Sequence, residues 1–252
     1  MSTEHIVVER RGAVQVIRMN RPEKKNAITR AMYGAMAKAL AEGDADPAVR
    51  CHVFLGVPGA FSAGNDMADF MVIAMGGEGG TEVMDFLMGL VRARKPMVSG
   101  ADGIAVGIGA TLHLNCDLTF ATPRTVFHMP FVDLGITPEA GSSLLAPALI
   151  GRQQAFALLA LAEGFPAEKA KALGMIYDVV PENELEAAVL RTAERVAAKP
   201  PEALKIARDL MRGNRDELAE RVKQEGLLFR ERLRSDEAKQ ALMAFMSRKK
   251  AG

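Results

Sequence analysis

Two short glycine-bearing segments constrain the fold of this chain more than any other feature. They are residues 61–66, Phe-Ser-Ala-Gly-Asn-Asp, and residues 102–110, Asp-Gly-Ile-Ala-Val-Gly-Ile-Gly-Ala. Each segment follows a short apolar run and precedes a stretch that can form a helix. A turn of this kind leaves backbone N–H groups without an intrahelical partner, near the positive end of a helix. Two such turns facing each other would form a binding site for an oxyanion.

The periodicity of apolar residues predicts an α/β chain with additional helices at its end. Residues 6–9 and 14–19 are typical of two strands joined in a hairpin. Short strands and glycine turns follow, and beyond Gly141 the pattern becomes helical. We therefore predict an α/β core at residues 1–195 and a helical C-terminal region at residues 196–252.

Composition argues against several classes of function. The net charge is +1, and the basic residues alternate with acidic ones, which argues against a nucleic-acid partner. No apolar run reaches the roughly 18 residues of a membrane span, so no membrane association is predicted. Cys51 and Cys116 lie in apolar runs and are interpreted as reduced core residues. With no signal peptide visible at the N-terminus, we expect a cytoplasmic protein.

Three other motifs have simpler interpretations. Gly107-Ile108-Gly109 begins like a dinucleotide-binding fingerprint, but Leu112 occupies the position of its third glycine. The four histidines lack metal-ligand spacing with acids or cysteines, so no metal is predicted, and His128 is interpreted as a hydrogen-bonded core residue. Ser142-Ser143 lacks the flanking glycines of a nucleophile elbow and is interpreted as a helix N-terminus.

An ordered set of six motifs extends along nearly the whole chain. They are residues 20–27 (Asn-Arg-Pro-Glu-Lys-Lys-Asn-Ala), 59–66, 95–103 (Lys-Pro-Met-Val-Ser-Gly-Ala-Asp-Gly), 107–109, 116–117 and 134–141 (Leu-Gly-Ile-Thr-Pro-Glu-Ala-Gly). Each motif alone is weak, but their order and spacing together resemble the enoyl-CoA hydratase/isomerase (crotonase) family. Among its branches, the chain most resembles the monofunctional Δ3,Δ2-enoyl-CoA isomerases.

The resemblance implies a fold, a substrate class and an assembly. The fold is a spiral of ββα units whose C-terminal helical region serves trimer contacts, so a homotrimer or a dimer of trimers is expected. The substrate is an acyl-CoA thioester, and coenzyme A is part of that substrate, so no separate cofactor is expected. By position, the backbone N–H groups of Asn65 and Ile108 would hold the thioester oxygen as it becomes an enolate.

The family pattern also indicates which reaction is unsupported. Hydratases of the family use two glutamates, and their positions here are Thr111 and Phe131. Neither side chain can act as a carboxylate base for water. The resemblance therefore does not support two-glutamate hydration.

One carboxylate remains at a catalytic position of the isomerase branch. Glu139 would move a proton from C2 to C4 of a 3-enoyl-CoA, giving the 2-trans-enoyl-CoA. The apolar neighbours Phe131, Leu134 and Ile136 would raise its pKa. The alternative role for Glu139 is a helix N-terminal acid that interacts with the macrodipole. Alternative functions are hydration, another reaction of the family, or acyl-CoA binding without turnover.

Residues around both glycine segments are expected to contact the substrate. Lys24 and Lys25 fall where the family meets the CoA phosphates or adenine, although a solvated lysine pair is the other interpretation. Asp133 has either a pocket or a surface role. The full set of predicted substrate-binding residues is Lys24, Lys25, Ala27, Ala63, Gly64, Asp66, Met67, Gly107, Phe131, Leu134 and Ile136.

Overall fold

The computed structural model describes residues 4–77 and 80–251 as a mixed α/β fold built on two sheets, which confirms the predicted class. No signal peptide is predicted at the N-terminus, and its first three residues lie outside these ranges. The strands are β1 (Ile6–Arg11), β2 (Val14–Met19), β3 (Cys51–Leu55), β4 (Ala60–Ser62), β5 (Met97–Ala101), β6 (Ile104–Val106), β7 (Leu118–Ala121), β8 (Val126–His128), β9 (Phe165–Pro166) and β10 (Asp178–Val179).

Helices surround the sheets and dominate the C-terminal part of the chain. None of the helices in the described ranges is both long and apolar enough to cross a membrane. The helices are α1 (Arg30–Ala45), α2 (Met67–Ala74), α3 (Glu82–Arg92), α4 (Ile108–Leu114), α5 (Ser142–Leu159), α6 (Ala167–Ala172), α7 (Leu185–Ala197), α8 (Pro201–Arg212), α9 (Arg215–Leu233) and α10 (Asp236–Ala251).

Pairs of consecutive strands build the two sheets side by side. In the pairs β3–β4, β5–β6 and β7–β8, the first strand joins a six-stranded sheet of order β1-β2-β3-β5-β7-β10. The second strand of each pair joins a four-stranded sheet of order β4-β6-β8-β9. Within each sheet these strands run parallel, and a helix follows each pair. This succession is the spiral of ββα units that the motifs predict.

The large sheet is covered by helices on both faces. On β3, the side chains of Cys51, Val53 and Leu55 pack with α7, while Phe54 points into the larger cluster that contains α1 and α3. All four are buried, as expected for a central parallel strand. Both cysteines are free thiols, and burial raises the pKa of Cys51 well above its ordinary value and that of Cys116 to about 12. The absence of a disulfide between them agrees with the prediction that both cysteines are reduced.

The structure adds detail that the sequence pattern does not show. Strand β6 lies inside the second glycine segment, and strand β4 overlaps the beginning of the first. Each of these strands has only three residues, too few to display a period of two. The division at residue 195 falls within the last turn of α7 and stays a prediction.

Candidate active site

Parallel pairing of β4 with β6 brings the two glycine segments together. Ser62 on β4 lies opposite Ala105 on β6. Asn65 and Ile108 each follow three residues later, so they leave the same edge of the small sheet. Gly64 makes this approach possible, because a Cβ on it would lie 2.9 Å from the carbonyl oxygen of Val106.

The backbone N–H groups of Asn65 and Ile108 have no hydrogen-bond acceptor among the described residues. The amides on either side of Asn65 both donate to protein acceptors: Asp66 N donates to Ile28 O at 2.9 Å, and Gly64 N donates to the Ser62 hydroxyl at 3.1 Å. Ile108 begins α4 directly after Gly107, whose φ is +55°. Within residues 4–77 and 80–251, neither the Asn65 nor the Ile108 N–H donates to a protein acceptor. These two N–H groups are therefore the candidate donors of the oxyanion site that the sequence predicts.

A buried asparagine holds the first of these segments in place. The Asn26 side-chain amide donates to the carbonyl oxygens of Ala60 and Phe61, both at 3.0 Å. The Ser62 hydroxyl donates back to Asn26 O at 2.8 Å, and Ala63 N donates to Lys25 O at 2.9 Å. The first motif, residues 20–27, therefore supports the oxyanion segment.

Glu139 is a buried carboxylic acid beside this pair of amides. It precedes α5 and is only 5% exposed. Its Oε1 atom has no hydrogen-bond partner in the described part of the chain. Burial, together with the negative charge of Glu225, raises its pKa to about 8. A carboxylate with this pKa can both accept and return a proton near neutral pH.

Two cavities meet at Glu139. An inner cavity of about 110 Å³ is lined mainly by α1, α3 and α9, and a wider groove of about 930 Å³ is lined by the loops around β4, β6 and β8. Three residues line both: Asn65, Phe70 and Glu139. Among the acids that line either cavity in the described ranges, Glu139 is the one common to both. Glu139 therefore lies at the junction of the two cavities.

The structure brings the predicted binding residues together in the groove. Ile108 differs from them, because the residue is 0% exposed and does not line the groove, although the preceding Gly107 does. Thr111 is also fully buried, whereas Phe131 forms part of the groove wall. The predicted residues that line the groove are Lys24, Lys25, Ala27, Ala63, Gly64, Asp66, Met67, Gly107, Phe131, Leu134 and Ile136.

Charges at the groove differ in their pairing. Lys24 and Lys25 are exposed and have no ion-pair partner among the described residues. Asp66 accepts a hydrogen bond from Arg21 at 2.6 Å. Burial raises the pKa of Asp66, but the hydrogen bond and charge of Arg21 outweigh it and leave the pKa below its ordinary value. The two lysines are thus the cations free to meet an anionic ligand.

Two of the simpler interpretations agree with the structure. His128 Nε2 donates to Ala162 O at 3.0 Å, although the ring also lines the groove. Ser142 begins α5. In the described ranges, no group of three histidine, cysteine or acidic side chains is arranged to hold a metal ion.

Sequence reasoning missed three residues that shape this site. Tyr33 on α1 donates its hydroxyl to Asn65 Oδ1, Phe70 on α2 lines both cavities, and Glu225 on α9 lies beside Glu139. Tyr33 and Glu225 are far from their partners along the chain, and no local pattern signals such contacts.

Known proteins provide an independent comparison with this geometry. The family model described as enoyl-CoA hydratase/isomerase matches residues 9–252, and the chain belongs to that family. It is 35% identical over 250 residues to enoyl-CoA delta isomerase 2 of Rattus norvegicus, covering 97% of this chain and 64% of that relative. The chain thus spans less than two thirds of that protein.

Two further proteins resemble the chain over most of their own length. The 1,2-epoxyphenylacetyl-CoA isomerase of Escherichia coli strain K12 is 33% identical over 193 residues, which cover 74% of each chain. The structure of Pseudomonas aeruginosa OdaA matches with a TM-score of 0.92 at 39% identity, covering 97% of this chain and 99% of that one. The family and the fold are those that the motifs predict.

Proposed function

We propose that this protein is an enoyl-CoA isomerase that converts a 3-enoyl-CoA into a 2-trans-enoyl-CoA. One observation carries the proposal: Glu139 is the carboxylate common to the groove and the inner cavity, and it lines them beside Asn65. A 1,3-proton shift requires one base that reaches two carbons, and it requires a stabilised enolate between the two transfers.

The reaction follows from the positions of three groups. The Glu139 carboxylate takes a proton from C2 of the 3-enoyl thioester, and the electron pair delocalises onto the thioester oxygen. The N–H groups of Asn65 and Ile108 stabilise this dienolate more than they stabilise the neutral carbonyl, which lowers the barrier. The Glu139 carboxyl group then returns the proton to C4, and the double bond forms between C2 and C3.

The two cavities suit the two ends of an acyl-CoA. Lys24 and Lys25 at the groove would attract the phosphates of coenzyme A. The inner cavity is lined largely by apolar side chains, including Val83, Leu87 and Phe229, and would hold the acyl chain. The thioester would then lie at the junction, next to Glu139. No separate cofactor takes part in this scheme.

The proposed reaction is supported over hydration by the residues at the hydratase positions. Thr111 and Phe131 provide no carboxylate, so Glu139 would have to activate water alone. The isomerase name of the rat relative points in the same direction. Hydration and acyl-CoA binding without turnover are the alternative functions.

Purified protein incubated with 3-hexenoyl-CoA and, separately, with 2-trans-hexenoyl-CoA distinguishes these functions. We expect the conjugated thioester to form from the first substrate, with little 3-hydroxyacyl-CoA from the second. Fast hydration without a double-bond shift would identify a hydratase instead. Binding of both esters in calorimetry without product would identify a non-catalytic binder.

The assembly and location are part of the same proposal. We propose a homotrimer or a dimer of trimers in the cytoplasm. Exposed apolar residues on α8, including Leu210 and Met211 at 79% exposure each, support burial against another subunit. Light scattering after size-exclusion chromatography tests the assembly, because a single chain has a mass of 27.1 kDa. A monomeric mass would contradict it.

A further inference from the structure

Glu225 on α9 is a buried acid that binds the beginning of α5, directly after Glu139. It is 5% exposed and accepts hydrogen bonds from Gly141 N at 2.6 Å and Ser143 N at 3.0 Å. It also accepts one from the Ser143 hydroxyl at 2.5 Å. These three donors tie the Glu225 carboxyl group to the first residues of α5.

The turn that Glu225 holds is the one that carries Glu139. Ala140 and Gly141 follow Glu139 with φ values of +61° and +75°, and Ala140 is therefore in a conformation that a residue with a Cβ seldom adopts. Asn115 supports the same turn by donating its side-chain amide to Ala140 O at 3.0 Å. Contacts from α4 and α9 together keep this strained turn in place.

The two buried acids have contrasting surroundings. Glu225 receives three donors, whereas Glu139 Oε1 receives none from the described residues. When two buried carboxyl groups interact, the one with more donors keeps the negative charge, and the other holds its proton more tightly. Such an asymmetric pair gives the second carboxyl group the character of a stronger base.

We infer that Glu225 is a positioning residue for Glu139: it holds the turn that carries Glu139, and its negative charge makes Glu139 a stronger proton acceptor. The inference rests on the proposed role of Glu139 as the base. It places part of the control of the reaction on the C-terminal helix α9, which also lines the inner cavity through Val222, Gly226 and Phe229.

Other charged and titratable groups also surround Glu139. Arg221 donates to the Ser143 hydroxyl at 3.1 Å, and that hydroxyl in turn donates to the Glu225 carboxylate. Tyr33 lines the inner cavity, and the charge of Glu139, after burial, raises the pKa of its phenol. The remaining charged and titratable groups that line either cavity are Arg30, Asp69, Arg230, Glu23, Lys24, Lys25, Asp66, His128 and Asp133.

A purely structural role for Glu225 as a cap of α5 makes a different prediction. A structural cap changes stability and the amount of active enzyme, but it leaves the proton affinity of Glu139 unchanged. The titration midpoint of Glu139 is therefore the decisive measurement. It can be followed by carboxyl-carbon NMR of protein labelled at the glutamate side chains, with Glu139→Gln used to assign the signal.

Three variants complete the experiment. Glu225→Gln removes the charge, and we expect the midpoint of Glu139 to shift to lower pH. Ser143→Ala weakens the cap but keeps the charge, and Glu220→Gln removes an exposed acid of the same helix, so both should leave the midpoint close to that of the wild type. An unchanged midpoint in folded Glu225→Gln protein overturns the inference.

If the Glu225→Gln variant does not fold, the Arg221→Gln variant tests the inference instead. Removing the cation beside Glu225 leaves its negative charge less compensated, so the Glu139 midpoint should rise, and an unchanged midpoint overturns the inference. The titration uses the free protein without substrate. A failed isomerase assay therefore refutes the proposed function alone, while an active isomerase with an unshifted midpoint refutes the inference alone.

Discussion

The hydroxyl group of Tyr33 donates a 2.5 Å hydrogen bond to the side-chain oxygen of Asn65. Tyr33 is buried on α1, and Asn65 supplies one of the two amides of the candidate oxyanion site. The bond joins a helix to the end of the β4 loop, 32 residues further along the chain. It limits the rotation of the segment whose backbone N–H would meet the substrate oxygen.

Replacing Tyr33 with phenylalanine tests this relationship. Tyr33→Phe keeps the ring and its packing against Phe86 but removes the bond to Asn65. A neutral hydrogen bond contributes about 1 kcal/mol, so kcat should fall roughly fivefold with little change in KM. Steady-state kinetics with 3-hexenoyl-CoA measures both constants. Tyr177→Phe, on an exposed side chain, is the matched control, and equal kcat values in the two variants would contradict the prediction.

Replacing the carboxylate with an amide tests Glu139. Glu139→Gln has nearly the same shape but cannot accept the proton, so kcat should fall by about 10³-fold. Asp133→Asn removes an exposed carboxylate of the groove and should leave kcat within about twofold of the wild type, the range expected for a surface change. Isomerase activity that survives in folded Glu139→Gln protein would remove Glu139 from its proposed role.

The pH profile of the reaction follows from the raised pKa of Glu139. The base must be ionised to accept a proton, and burial together with Glu225 raises its pKa to about 8. We therefore expect kcat/KM to rise about tenfold per pH unit below this value and to level off above it. Rates measured from about pH 6 to about pH 9.5 show this limb. A profile that is already flat above about pH 5.5 would contradict it.

The same shift predicts a cost in stability. The pKa of Glu139 is about 8 in the folded protein against its ordinary value of 4.5, so between these values the folded state binds more protons than the unfolded state. The free energy of unfolding must then fall as the pH rises through this window. Glu139→Gln removes the effect, so its stability gain over the wild type should be larger at about pH 9 than at about pH 5. Urea denaturation measures the difference, and Asp133→Asn should show no such trend.

Lys24 and Lys25 at the groove have no ion-pair partner among the described residues. Removing either lysine should weaken the binding only of substrates that carry the phosphates of coenzyme A. Lys24→Ala and Lys25→Ala should each raise KM for a 3-enoyl-CoA by up to about fivefold at low salt, because exposed charge pairs contribute up to about 1 kcal/mol. A thioester of N-acetylcysteamine lacks the phosphates, so its KM should not change. Lys223→Ala, on the surface of α9, is the control. Equal effects on both thioesters would indicate a different role.

Local features of the sequence were sufficient to predict the C-terminal helices and to identify the family. The Thr29 hydroxyl caps α1 by accepting a bond from Met32 N, and Asn214 caps α9 in the same way. Gly151, with φ of +76°, interrupts the helix of residues 142–159. Caps and glycines act within a few residues of their position, so such features are readable from the chain.

Contacts between distant parts of the chain determine the geometry of the candidate site. The segments that carry Asn65 and Ile108 meet because β4 pairs with β6, and these strands are too short to be predicted from alternation. The contacts of Tyr33 with Asn65 and of Glu225 with the turn after Glu139 cross 32 and 84 residues of chain. From its motifs, the sequence could assign Glu139 and the two amides to one site. The proton affinity of Glu139 required the structure, because it depends on burial and on a charge brought near it by the folding of a distant helix.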